Sequence, residues 1–346
     1  MDLQSSRPSR STPPNRREFI QAGAAGVASL ALARGEAVSA HNGAGIPMRP
    51  LGRTGQSVTM IGLGGYHSSV HPQESESIRL IQRAIDEGIT FLDNAWDYHN
   101  GGAEERMGKA IAQGDRRDKV FLMTKCCGRT AKEAQSNLED SLRRLRTDHL
   151  DLWQFHEIVY DNDPDWIFAN GGAIEYALKA KDQGKIRFLG FTGHKDPAIH
   201  LKMLDKPYPW ATVQMPINVM DSQFRSFQHH VLPVLNQRGI APIAMKSLGG
   251  TGKIVSESIV SIEEALRYVF SLPIATLISG IDSEKVLEQN LKIVRNFKPM
   301  TSDEMAAVEN KVRPFAGDGR FELFKSSKVF DGPYHRKQHG FSTEVS

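Results

Sequence analysis

The 346-residue chain is long enough to bury one large barrel core or two smaller domains. Its 40% apolar and 24% charged residues are the balance of an ordinary soluble globular protein. Of the net charge of +3, residues 1–40 contribute five arginines against Asp2, Glu18 and Glu36, which leaves the remainder nearly neutral and gives a nucleic-acid or membrane-surface role no support.

The N-terminus carries N-R-R-E-F-I-Q from Asn15, then A-G-A-A-G-V-A-S-L-A-L-A, then V-S-A ending at Ala40. A positive region, a short apolar run and small residues are the parts of an export signal, and the run is too short to span a bilayer comfortably. The Arg16-Arg17 pair resembles the twin-arginine type, which implies the twin-arginine export machinery as a partner and a periplasmic or exported mature protein. The alternative is a disordered basic tail on a cytoplasmic protein. The cysteines, Cys126 and Cys127, are adjacent, too few for a disulfide framework or a structural metal site, and define no redox compartment.

After a Gly-rich join at His41–Pro47, R-P-L-G-R-T-G-Q-S-V reads as a turn or hairpin ahead of the first core strand. Eight apolar, β-branched runs follow: V-T-M-I-G-L, I-T-F-L-D, K-V-F-L-M-T-K, L-D-L-W-Q-F-H, I-R-F-L-G-F-T, A-T-V-Q-M-P-I-N, I-A-P-I-A-M-K and A-T-L-I-S-G. Amphipathic runs of helical length lie between them, such as S-I-R-L-I-Q-R-A-I-D-E-G and S-I-E-E-A-L-R-Y-V-F. Gly88, Gly184 and Gly239 sit where a helix ends before a strand, the place of a left-handed cap. This alternation predicts parallel strands in a closed (β/α)8 TIM barrel over residues 41–313. An open dinucleotide-binding sheet would carry G-x-G-x-x-G, whereas Gly62 to His67 reads G-L-G-G-Y-H and lacks the third glycine. Residues 314–346 form a charged, aromatic tail, and Phe321, Phe324 and Phe330 predict that part of it packs on the barrel, near its mouth.

In such a barrel the chemistry sits at the C-terminal strand ends. Asp93 and Tyr98 follow the second run, Lys125 ends the third and His156 the fourth. A phenol is protonated at neutral pH and can give up its proton if an ammonium stabilises the phenolate, while a carboxylate holds that ammonium in place. Tyr98 is therefore the expected acid, Lys125 the group lowering its pKa and Asp93 the partner of Lys125. His156 either donates to a substrate carbonyl or joins the proton relay. Singly, each has a structural alternative: a turn cap, an amphipathic ring, a solvated strand end or a satisfied interior histidine.

Over roughly Met48 to Phe297 the chain resembles the aldo-keto reductase family. The resemblance rests on R-P-L-G-R-T-G, I-G-L-G, F-L-D-N-A-W-D-Y, M-T-K, S-L-R-R-L-R-T-D-H-L-D-L-W-Q-F-H, G-K-I-R-F-L-G-F-T, V-Q-M-P-I-N and L-I-S-G-I-D-S-E-K-V-L-E-Q-N, in that family's order. It implies carbonyl reduction by NADPH, with NADH compatible, and puts the family's catalytic tetrad on Asp93, Tyr98, Lys125 and His156.

The resemblance also implies that Gln214 binds the nicotinamide amide. The usual Ser-Asn beside it is replaced by Gly193-His194, and Met245 stands where an aromatic residue often stacks on the ring. Lys246, Ser247, Leu248, Gly250 and Gly252 are then expected around the pyrophosphate, and Ser279, Gly280, Asp282, Glu288 and Asn290 at the adenosine end. Val286 holds the position often basic in phosphate-preferring relatives, with Lys285 adjacent. Tyr66, His67, Trp96, His99, Trp153 and Glu157 are candidate walls for a small carbonyl or alcohol substrate. Two rivals stand beside this reading: a cofactor-binding regulatory barrel with little turnover, and a metal-dependent hydrolase on Asp93, His99 and His156.

Overall fold

The computed structural model describes residues 39–344. The twin-arginine segment lies outside them, apart from Ser39 and Ala40, which belong to strand β1 (Ser39–His41). The small-residue cleavage context therefore ends within a strand that pairs antiparallel with β2 (Pro47–Pro50). β2 pairs in turn with β3 (Ser57–Thr59), forming a three-stranded sheet.

Eight parallel strands then close on themselves: β4 (Ile61–Gly64), β5 (Phe91–Asp93), β6 (Phe121–Cys126), β7 (Leu150–Phe155), β8 (Ile186–Thr192), β9 (Thr212–Pro216), β10 (Ala241–Met245) and β11 (Thr276–Ser279), with β11 pairing back to β4. The expected (β/α)8 barrel is the observed fold. The run V-T-M-I-G-L differs from expectation because it divides at Met60, whose N–H donates to Pro47 O, ending the hairpin before the barrel starts. The hairpin residues Leu51 and Val58 pack with Phe91, Phe121, Leu152 and Ile243 in one buried cluster, stoppering the barrel below its mouth.

Side chains alternate along each strand, so every barrel strand feeds two cores. On β7, Leu152 packs inside the barrel while Trp153 and Phe155 join the larger core shared with the helices. Trp153 is fully buried there, which removes it from the candidate substrate walls. The helices are held by local chemistry as well as burial. Thr130 with Glu133, Ser261 with Glu264 and Thr301 with Glu304 make reciprocal capping boxes at the starts of Ala131–Leu145, Ile262–Ser271 and Ser302–Ala316.

The last of these helices runs through Pro314. Beyond it, the short helices Leu323–Ser326 and Pro333–Gln338 carry the chain over the strand ends of β7, β8 and β10. Phe321 and Phe324 are buried, and Lys325 is fully enclosed between Asp221 (2.6 Å) and Glu322 (2.9 Å).

Candidate active site

Barrel register brings the strand-end groups together. Asp93 ends β5 opposite Met123, Lys125 lies opposite Gln154, and Gln214 pairs with Thr192. Lys125 makes a very short ion pair with Asp93, and its Nζ also donates to Asn94 O at 2.7 Å and Tyr98 Oη at 3.4 Å. Both partners of the ion pair are buried. Burying opposite charges without water is tolerable only when each is paired and hydrogen-bonded, which is the arrangement here. Gln214 Nε2 reaches Asp93 Oδ2 at 3.4 Å, and its Oε1 is a buried acceptor with no partner among the described residues.

The phenol departs from expectation in one respect. Burial raises the Tyr98 pKa well above its ordinary value, and the charges of Asp93, Asp97 and Glu157 add to the effect. Lys125 does not reverse it, because its ammonium is already engaged by the Asp93 carboxylate. Tyr98 is thus held firmly as the protonated acid.

Around His156 the structure adds partners that strand-end reasoning missed. Its Nδ1 lies 3.1 Å from Asp97 Oδ1 and 3.5 Å from Cys127 Sγ, and its ring meets Tyr98 edge to face at 5.5 Å. Burial lowers the His156 pKa, with Asp97 pulling in the opposite direction. Glu157, the next residue, has φ of 46°, a left-handed conformation costing on the order of 1–2 kcal/mol for a residue with a Cβ. Burial and the Asp97 charge push its carboxyl up to about 8. Backbone strain of this kind gathers where the surrounding structure constrains a site, and Lys246 at the end of β10 shows it too, with φ of 56°.

The tail forms a roof over these groups. Gly332 N–H donates to Glu157 Oε2 at 2.8 Å, and a Cβ at Gly332 would stand only 3.2 Å from that carboxylate and 3.3 Å from Asp97 Oδ2. Asp331 receives Lys195 Nζ at 2.6 Å and the Tyr160 hydroxyl at 3.0 Å, and lies 3.4 Å from His194 Nε2. Burial takes the His194 pKa down to about 3. His335 packs edge to face on His156 at 5.5 Å, and Tyr334 packs on Trp96 at 5.4 Å.

Asp97, Cys127, His156 and His335 place donor atoms within 4.8 Å of one another, the composition of a cation site. Arg129 opposes that use: its Nη2 stands 3.4 Å from His335 Nδ1 while bonding the carbonyls of His156 and Glu157. A fixed guanidinium beside the donors disfavours a second cation, while Asp97 Oδ1 and His335 Nε2 are buried without a hydrogen-bond partner among the described residues. The hydrolase set fares no better, since His99 Nε2 turns outward to Tyr66 O at 2.8 Å and its ring stacks on Tyr66.

The expected cofactor residues divide into three groups. Gly193, His194 and Gln214 lie at adjacent strand ends, with the free Gln214 Oε1 suited to a carboxamide N–H. Gly249, Gly250 and Gly252 all have positive φ in the loop after Met245, in which Ser247 is buried and Leu248 half-buried; the N–H groups of Gly249 and Gly252 donate to Lys246 O and Leu248 O within it. Lys246, at the start of that loop, has a left-handed φ of 56°. Burial lowers its pKa to about 8, Glu157 raises it and Lys125 lowers it further, and its ammonium faces the Phe324 and Phe330 rings. The same two rings cover Gly250 of the glycine loop. At the adenosine end, Gly280 and Asp282 are exposed and Asn290 Nδ2 donates to Ser279 Oγ at 2.9 Å. Glu288 instead lines an outer groove with Arg83, Glu87 and Leu291. Two residues along a helix turn the side chain through about 200°, so Glu288 and Asn290 cannot share one face.

Among the candidate walls, Tyr66, His67, Tyr98 and His99 form an aromatic cluster, while Trp96 bonds Asp140. The missed residues were Asp97, Cys127, Arg129, Asp331 and His335. W-D-Y offered a signal for Asp97, an acid beside the expected phenol; no strand-end pattern pointed to the tail.

A profile of the Aldo/keto reductase family matches residues 60–259. The chain is similar to the aldo-keto reductase YhdN of Bacillus subtilis, 32% identical over 59% of this chain and 63% of that protein. It is also similar to L-galactose dehydrogenase of Arabidopsis thaliana, 26% identical over 78% of this chain and 95% of the relative. In fold it resembles an aldo/keto reductase from Klebsiella pneumoniae solved in complex with NADP and acetate, with a TM-score of 0.58 at 24% identity, over 74% and 92% of the two chains. The matched segment begins at the first barrel strand and includes the Asp93, Tyr98, Lys125 and His156 strand ends, and the chain belongs to the Aldo/keto reductase family of oxidoreductases.

Proposed function

We propose that this protein interconverts a small aldehyde or ketone and its alcohol using NADP(H), with Tyr98 as the general acid. The observation that carries the reading is the buried Asp93–Lys125–Tyr98 chain, with Gln214 reaching the same aspartate. The bound nicotinamide supplies or accepts the hydride. Tyr98 gives its proton to the carbonyl oxygen as negative charge develops there; an alkoxide is a much stronger base than a phenolate, so even a phenol of raised pKa transfers readily. Lys125 holds charge beside the phenolate, and Asp93 holds Lys125. NADP is preferred on the likeness to the NADP complex, and NAD remains compatible because Val286 supplies no base for a 2′-phosphate. The test is oxidation of NADPH and NADH against an aldehyde and ketone panel. Tyr98→Phe is expected to lose at least ~10²-fold in kcat; equal turnover by the variant would sink this role.

A cofactor-holding protein with little turnover is the second reading, favoured by the roof. Phe324 and Phe330 pack within 3.2 Å of where a Cβ would stand on Gly250, and Asp331 engages His194 and Lys195. Such a cover would retain nucleotide, which suits export through the twin-arginine machinery of a folded, loaded protein to a compartment poor in reduced nicotinamide. Release of nucleotide within seconds, or an intact N-terminus on protein from its native host, would count against that picture.

A further inference from the structure

We propose that Asp97, Cys127, His156 and His335 form a structural Zn2+ site that clips the C-terminal tail to three barrel strand ends. The site is independent of the general-acid role of Tyr98.

The ligands come from four separated parts of the chain. Asp97 follows β5, Cys127 follows β6, His156 follows β7, and His335 lies on the tail helix Pro333–Gln338. The adjacent cysteines are too few for a thiolate-only site, and one of them faces away. Cys126 Sγ approaches Gly128 O at 3.5 Å and Asn137 Oδ1 at 3.8 Å, whereas Cys127 Sγ lies 3.5 Å from His156 Nδ1. Cys127, His156 and His335 are all buried.

Tetrahedral zinc, with bonds of about 2.0–2.3 Å, sets its ligand atoms roughly 3.3–3.8 Å apart. The separations of His156 Nδ1 from Asp97 Oδ1 and Cys127 Sγ, 3.1 and 3.5 Å, are close to that spacing. The widest in the group, up to 4.8 Å, closes with a movement of about 1 Å. Direction is more telling than distance. Asp97 Oδ1 stands near Nδ1 yet has no hydrogen-bond partner among the described residues, and His335 Nε2 is likewise buried and unpartnered, 3.8 Å from Glu157 Oε2. Leaving such atoms buried and unpartnered costs about 1–3 kcal/mol each. Polar atoms that gather without bonding one another aim at a shared point, and a cation held there satisfies them together. A thiolate, two imidazoles and a carboxylate select zinc over the harder Mg2+ and Ca2+.

Arg129 is the obstacle, but its charge is already matched. Its Nε donates to Asp163 Oδ1 at 2.8 Å, and its Nη2 donates to the carbonyls of His156 and Glu157 at 2.9 and 3.0 Å, which uses both hydrogens of that nitrogen. The 3.4 Å approach to His335 Nδ1 is the longest of the Nη2 contacts and the one the guanidinium does not need. Asp163 balances Arg129, while the Asp97 carboxylate and the Cys127 thiolate balance Zn2+, so the whole cluster is neutral. Arg129 then supports the site from outside by tying down the carbonyl of a ligand residue. Glu157 stays out of the set because its Oε2 accepts from Gly332 N–H at 2.8 Å. With every coordination position filled by protein, the site is of the closed, structural kind. It joins the end of β7 to the tail across 179 positions of chain.

The test is the metal content of the full mature chain, prepared without an affinity tag or chelator, followed by titration of the metal-free protein with Zn2+ alone. About one equivalent of zinc per chain is expected. Cys127→Ser and His335→Gln should each weaken binding by more than ~10²-fold, because changes outside the ligand shell already cost about 10–100-fold. Co2+ in place of Zn2+ should give the intense visible bands of a tetrahedral site and a thiolate charge-transfer band that Cys127→Ser abolishes. Chelation should speed proteolysis of the tail by ~10-fold or more in the wild type and leave the rate in His335→Gln unchanged. If Cys127→Ser fails to fold, His335→Gln, whose change lies outside the barrel, decides the matter. Zinc well below one equivalent after titration overturns the site. Zinc held equally by the wild type and both variants marks surface binding and overturns it too. A different divalent metal at one equivalent, lost in the same variants, upholds the clip and overturns the choice of zinc. Zinc bound as expected by a protein that turns over no carbonyl upholds the site and counts against the reductase reading, and a protein that binds no zinc yet reduces carbonyls through Tyr98 does the reverse.

Discussion

The floor and roof of the pocket contain similar charged groups but are held in different ways. On the floor, Asp93, Lys125 and Gln214 project from neighbouring parallel strands, so the barrel register sets their separation. On the roof, Asp331, Gly332 and His335 arrive on a chain segment pinned by side chains: Lys325 between Asp221 and Glu322, Asp331 on Lys195, and His339 stacked on Trp166 at 4.6 Å. Disturbing the floor therefore costs fold stability as well as chemistry. Disturbing the roof changes access while leaving the barrel closed.

The largest effect is expected from Lys125→Met. It leaves the Asp93 carboxylate buried without its cation, and loss of one partner of a buried pair costs about 3–5 kcal/mol, measurable in a urea melt. Turnover should fall with it. If the melt were unchanged, the floor would not be integral to the fold and the contrast with the roof would collapse.

Deleting residues 327–346 removes Asp331, Gly332 and His335 but keeps the Lys325 anchor. Far-ultraviolet circular dichroism should be nearly unchanged, while release of prebound nucleotide should speed up by roughly tenfold or more, as expected when a cover is lost. Unchanged release would show that the roof gates nothing.

The pH dependence sharpens the same comparison through Glu157. Its folded pKa of about 8 lies above that of an unfolded glutamate, so the native state binds more protons between those two values. Stability should therefore be fully present below the unfolded pKa, fall as pH rises through the window and level off above about 8. Glu157→Gln should flatten that part of a plot of Tm against pH. A wild-type Tm that rises from pH 5 to pH 8 would contradict this assignment.

The smallest effect belongs to the outer edge of the roof. Trp166 is partly exposed and stacks on His339, and replacing it with leucine should cost about 0.5–1.5 kcal/mol. Faster proteolysis at the tail would be a more sensitive readout than Tm.

The difference between floor and roof also explains how much could be read from the chain alone. I-R-F-L-G-F-T became β8 residue for residue, and each of the eight expected runs overlaps one barrel strand, because apolar β-branched stretches bounded by turns leave few alternatives. Asp93, Tyr98, Lys125 and His156 were legible because a barrel delivers its strand ends to one face. Trp153 was misplaced since an aromatic near a strand end faces in or out according to a one-residue alternation. The Tyr98 pKa was misjudged since a neighbouring ammonium counts for little once another carboxylate has taken it.

By itself the sequence determined the barrel, its family and four convergent strand-end groups, through local periodicity and the regular geometry of parallel β/α units. Tertiary structure alone decided that Asp97 approaches Nδ1 of His156, that Lys246 turns toward Phe324 and Phe330, and that Asp331 and His335 pack over the strand ends. Those contacts join residues up to 179 positions apart only through folding, and no periodicity in the chain encodes which side chains a packed tail will meet.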